Sequence, residues 1–106
     1  MLELSPLQLA ILESLCARGF SLVAFAMYEN YVGVKKGNCA ALLAPAASGG
    51  LQVFGEPCYL IGGHLTVRLR REGRDCFVWK KETLDATPAR LAELSAFSAA
   101  LAESLI

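Results

Sequence analysis

The residue types best suited to chemistry are a single histidine, His64, and four cysteines, Cys16, Cys39, Cys58 and Cys76. Thiolates and an imidazole can hold zinc, but structural zinc sites are built from closely paired ligands. Here the cysteines are scattered, no Cys-x-x-Cys pair occurs and there is no second histidine. Neither a metal nor a cofactor is expected. A Cys–His nucleophile pair would need a thiol of lowered pKa beside the imidazole, and no spacing in the chain brings one to His64. Glu13, Glu56 and Glu93 form no close carboxylate pair for acid–base work. Gly49-Gly50 and Gly62-Gly63 match no phosphate-loop pattern. An enzyme would have to use a cleft around Gly62, Gly63 and His64, and that is the weakest of the functional readings.

The charge cluster offers a different chemistry. From Arg68 to Lys81, six basic residues stand against two acidic ones. His64, Arg68, Arg70, Arg74 and Lys80 are the candidate ligand-binding residues, for an anion or a single-stranded nucleic acid stacked on neighbouring aromatics. The plainer account is a solvated outer face whose long charged side chains discourage pairing at a sheet edge. Lys plus Arg equal Asp plus Glu over the chain, for a formal net charge of zero. That balance disfavours nucleic acid, whose binding domains are usually strongly basic.

Residues 64–82 must position these groups, and they read as a β-hairpin. Leu65, Val67 and Leu69 alternate with Thr66, Arg68 and Arg70. A three-residue loop, Arg71-Glu72-Gly73, needs positive φ only at glycine. It pairs Val67 with Phe77 and Leu65 with Trp79. Leu65, Val67, Leu69, Phe77 and Trp79 then share a buried side, and Arg68, Arg70, Cys76, Val78 and Lys80 share the other. The alternative, a two-residue Glu72-Gly73 turn, needs positive φ at Glu72 and sets Phe77 beside Arg68.

Ahead of the hairpin, Ser5-Pro6 with Gln8 is a capping box with proline at the first helical position. An amphipathic helix follows on Leu7, Ile11, Leu12, Leu15 and Cys16, stopped by Gly19. Phe20 to Tyr28 is almost wholly apolar, as a strand buried on both faces would be. Glu29-Asn30 is a turn, Tyr31 to Lys35 a returning strand, and Lys36-Gly37-Asn38 a second turn. Cys39 to Ala47 is read as a third strand; a short helix is the alternative, since its Ala and Leu content suits one. Leu51–Phe54 and Cys58–Ile61 are two short strands separated by Gly55-Glu56-Pro57. Thr87-Pro88 starts a long C-terminal helix with an apolar stripe on Leu91, Leu94, Phe97 or Ser98, Leu101 and Leu105.

The expected fold is α+β in one domain, residues 1–106. An N-terminal helix precedes an antiparallel sheet of five to seven strands in largely meander order. A long C-terminal helix closes the chain, and both helices lie on one face of the sheet. With Cys39 to Ala47 as a helix, the order is similar to the αββαβββα dimerising modules of the roadblock type. The resemblance is one of topology alone, to modules that dimerise.

Composition points the same way. The chain is 55% hydrophobic and only 19% charged, against roughly 25% charged in ordinary soluble chains. Part of the surface must be apolar, and exposed apolar patches mark contact surfaces. A homodimer or a protein partner is expected, with Tyr28, Tyr31 and Val53 as interface candidates. No apolar run approaches the ~20 residues of a membrane span, and with no export signal at the start the thiols are expected to be reduced in the cytoplasm. The function these readings favour is a small, non-enzymatic, self-associating interaction domain. The alternative is an anion- or single-strand-binding module on the basic face of the hairpin.

Overall fold

The computed structural model describes residues 3–25 and 27–105. Helix α1 (Pro6–Ala17) begins as its sequence requires. The Gln8 N–H donates to the Ser5 hydroxyl at 3.2 Å, and the Ser5 N–H donates to Gln8 Oε1 at 2.8 Å. Two of the N–H groups left without helical partners are thereby satisfied. Gln8 is buried, and its amide also donates to the Gly50 carbonyl at 3.1 Å. That bond ties the turn before β4 to the helix. Gly19, at φ +94°, ends the helix and returns the chain to Phe20.

Two antiparallel sheets follow. The first contains β1 (Ser21–Val23), β2 (Val32–Lys36), β3 (Cys39–Pro45) and β4 (Leu51–Tyr59), side by side in that order. The second contains β5 (Val67–Arg71), β6 (Arg74–Trp79) and β7 (Glu82–Asp85), also in chain order. Helix α2 (Pro88–Ser104) closes the fold, with the Arg90 N–H donating to the Thr87 hydroxyl at 3.3 Å. The α+β class, the terminal helices and the meander order agree with the sequence. The single sheet does not, because the strands divide into groups of four and three. The break lies after Tyr59, where Gly62 and Gly63, both at positive φ, reverse the chain between Ile61 and His64.

Residues 39–45 are a strand, which removes the condition for the roadblock-like order. The short strands expected around Gly55 are one bulged strand instead. The β3–β4 register shifts between Ala40 and Leu42, and Gly55 adopts φ +73°. The stretch from Phe20 is a more substantial correction. Only Ser21–Val23 is strand, at the sheet edge and largely exposed. The residues after it form an irregular connection to β2, and Ala26 lies outside the described residues.

The core joins Leu12 and Leu15 of α1, Val34, Cys39, Ala41, Leu43 and Leu51 of the first sheet, and Phe97 and Leu101 of α2. Val34 lies opposite Ala41, and Cys39, Ala41 and Leu43 alternate along β3, so one face of the sheet supplies them. Both helices cover that face. Phe77 of β6, 1% exposed, stacks on Tyr59 with ring centroids 5.1 Å apart and links the second sheet to this core.

The hairpin register is the clearest reversal. Arg71 pairs with Arg74, Arg68 with Phe77 and Val67 with Val78, across a two-residue turn. Glu72 has φ +51° and Gly73 φ +76°, the pattern of a type I′ turn. The arginines at 68 and 70 therefore share a face with Phe77 and Trp79. Val67 and Leu69 share the opposite face with Cys76 and Val78, and are 61% and 42% exposed. Every residue of β5 is exposed. With the strand outside the main core, no burial energy selects for its apolar side, and the turn's twist sets the register. Lys80 is on neither face. It sits at φ +53° in a second tight turn, between Trp79 and Glu82, from which the unanticipated β7 returns.

Candidate functional site

The open side of the first sheet carries the most distinctive surface. Gly33, in the middle of β2, marks its floor. A Cβ there would collide with the Val23 carbonyl oxygen and come within 2.7 Å of the Phe25 ring. Only glycine lets Phe25 approach the strand this closely. Beside it, Tyr31 stacks on Phe54 at 4.3 Å and 21°, and Tyr28 meets Tyr31 at 6.4 Å. Phe54 is 47% exposed, Tyr28 39% and Met27, held at φ +72°, 88%. These are residues that usually fill cores, here turned outward along one strip.

The strip runs into a concavity of about 370 Å³ lined by Phe25, Met27, Tyr28, His64, Trp79 and Lys80. The Gly62-Gly63 turn is closed by two backbone bonds between Ile61 and His64, at 3.1 and 2.9 Å. His64 is thereby delivered against Trp79, the two rings 3.8 Å apart and within 2° of parallel. Lys80 Nζ lies 4.9 Å from the indole centroid, within reach of a cation–π contact. The imidazole has no hydrogen-bond partner among the described residues. The arrangement is suited to stacking and to holding a partly apolar group, and no nucleophile–base pair stands in it.

The remaining candidates separate. Arg68 pairs with Asp75 at 3.0 Å on the open surface. Arg70 reaches only the Gly73 carbonyl, at 3.5 Å. Arg74 lies opposite Arg71 and so on the other face of the sheet. With Lys80 in its turn beside Trp79, these cations form no single anion pocket. Val53 lies opposite Leu43 and packs against the core, apart from Tyr28 and Tyr31. Among the described residues no His, Cys, Asp and Glu group could hold a metal ion.

Two of the four thiols, Cys39 and Cys58, are held in the protonated form by their surroundings. Burial, with the nearby Glu93 charge, pushes Cys39 up to about 11. Burial likewise raises Cys58, aided by Glu56, while a backbone hydrogen bond from Thr66 works against it. Glu93 is perturbed as well. Burial alone would raise its pKa, but bonds from the Asn38 N–H, the Asn38 amide and the Tyr59 hydroxyl outweigh that and lower it. It pins α2 to the β2–β3 turn and to β4, a structural role.

Phe25, Met27, Phe54 and Trp79 were not singled out as functional by sequence reasoning. A usable signal existed in Gly33, a glycine inside a strand pattern, which announces close approach by another group. Comparison with known protein families, with curated proteins and with solved structures finds no match to this chain. No helix among the described residues is long and apolar enough to cross a membrane.

Proposed function

We propose that this chain is a small interaction domain without chemistry of its own, and that its partner is a second copy of itself. The carrying observation is the exposed aromatic strip of Phe54, Tyr31 and Tyr28 with Met27 beside it. Tyr, Phe and Met are the types enriched at the centres of protein interfaces, where charge is depleted. Aromatic side chains also supply contact area at little cost in side-chain entropy. A two-fold contact requires a patch that complements itself, and an apolar aromatic strip does so without charge matching. Zero net charge leaves little overall repulsion between copies.

The test is sedimentation velocity over a concentration series. Dimer is expected to grow in across the micromolar range. Phe54→Glu is expected to weaken association by about tenfold or more, since losing an aromatic anchor at an interface centre costs upwards of about 1.4 kcal/mol. Phe54 is half-exposed, so the variant should keep its circular dichroism and lose little stability beyond the Tyr31 stack, about 0.5–1.5 kcal/mol. A wild-type chain that stays monomeric throughout would overturn the proposal.

A further inference from the structure

The second sheet leaves an edge that the aromatic strip does not use. Its strand order gives β5 a neighbour on one side only, and all five β5 residues are exposed. The pair flanking a two-residue turn is hydrogen-bonded across the hairpin, and bonded and non-bonded pairs then alternate. Arg71–Arg74, Leu69–Cys76 and Val67–Val78 are therefore the bonded pairs. The peptide groups of Arg68 and Arg70 point outward, away from β6. No backbone hydrogen bond outside the sheet uses either residue among those described.

We infer that this edge is a strand-addition site for an extended acidic segment of a partner protein. The side chains select the occupant. Arg68, Arg70 and Arg71 make three of the five positions cationic. A second β5 laid against the first would set arginine against arginine, which opposes pairing. An acidic strand reverses the sign of that interaction. The faces define its pattern, because residues opposite one another in a ladder share a face. Acidic side chains are favoured opposite Arg68 and Arg70, and apolar ones beside the exposed Val67 and Leu69. Asp75 already occupies Arg68 at 3.0 Å, so Arg70 provides most of the unmatched charge on that face, and Arg71 adds a cation at the turn end of the other. Main-chain bonds to the outward peptide groups supply affinity, and the alternating side chains supply specificity.

The experiment is fluorescence anisotropy with a labelled peptide of alternating Glu and Val, titrated with the intact protein. Three comparisons accompany it: the same peptide N-methylated on alternate residues, the double variant Arg70→Glu with Arg71→Glu, and a labelled oligothymidylate. The plain peptide is expected to bind, and to bind more weakly at higher salt. N-methylation removes the donors needed for strand pairing but keeps every charge, and is expected to weaken binding by about tenfold. The arginine variant should weaken it similarly with unchanged circular dichroism. Absence of peptide binding, equal binding of the N-methylated peptide, or tighter binding of the oligothymidylate would each overturn the assignment. The N-methyl comparison uses the wild-type chain, so it stands even if the variant is unstable.

Discussion

Glu93 ties three parts of the fold through one carboxylate, and its charge has a calculable consequence. Its folded-state pKa lies below the ordinary 4.5. A depressed carboxyl stabilises the fold fully above its ordinary value and loses that contribution as pH falls from there through the lowered folded-state value. Thermal unfolding of Glu93→Gln should therefore show a deficit at neutral pH that shrinks below about pH 4.5. The deficit should be about 1 kcal/mol, at the low end for hydrogen bonds to charge because solvent reaches the site. A gap that stays constant with pH would assign the bonds no charge dependence. The thiols give a second test at this scale. Cys39 is buried and its pKa is pushed up to about 11, whereas Cys16 is exposed. Near neutral pH, iodoacetamide should modify Cys16 in the native protein and Cys39 only on unfolding, as peptide mass mapping would reveal.

Among the elements, the two helices were legible because their signals are local. Ser5, Pro6 and Gln8 define one start, Thr87 and Pro88 the other, and the stripe from Leu91 to Leu105 falls on the covered face. The hairpin was legible as a hairpin but not in register. Placing positive φ on glycine alone was sound local reasoning, yet Glu72 also adopts it. A primed two-residue turn follows the natural twist of paired strands. With β5 wholly exposed, there was no burial energy to oppose it. That residual strain is testable. Glu72→Asn creates the preferred Asn-Gly sequence for such a turn, and should stabilise the protein by about 1 kcal/mol. A calorimetric rise in melting temperature of about 4–8 °C is the expected reading for a domain of this size. A fall would mean that the Glu72 side chain contributes more than its backbone costs. The aromatic site was the least legible part. Phe25, Tyr31, Phe54, His64 and Trp79 are scattered over some 55 residues of sequence and meet only through tertiary folding. Apolar side chains look alike in sequence whether they turn into a core or out of it.

At the scale of the molecule, the chain is an elongated body of 46 × 26 × 22 Å with its helices on one side of the first sheet. Two contrasting surfaces remain. One is the aromatic strip with its His64–Trp79 concavity, where Lys80 is the charged lining residue; the other is the basic β5 edge. With a second copy proposed for the first and an acidic strand for the second, the two contacts should respond differently to salt. Apolar association persists as salt rises, whereas the charged contact weakens. The most direct test of the central claim is sedimentation velocity of the wild-type chain and Phe54→Glu, from about 1 to 100 μM. A monomer–dimer shift is expected in the wild type, displaced to about tenfold higher concentration in the variant. A wild type that remains monomeric, or a dimer indifferent to Phe54→Glu, would contradict it.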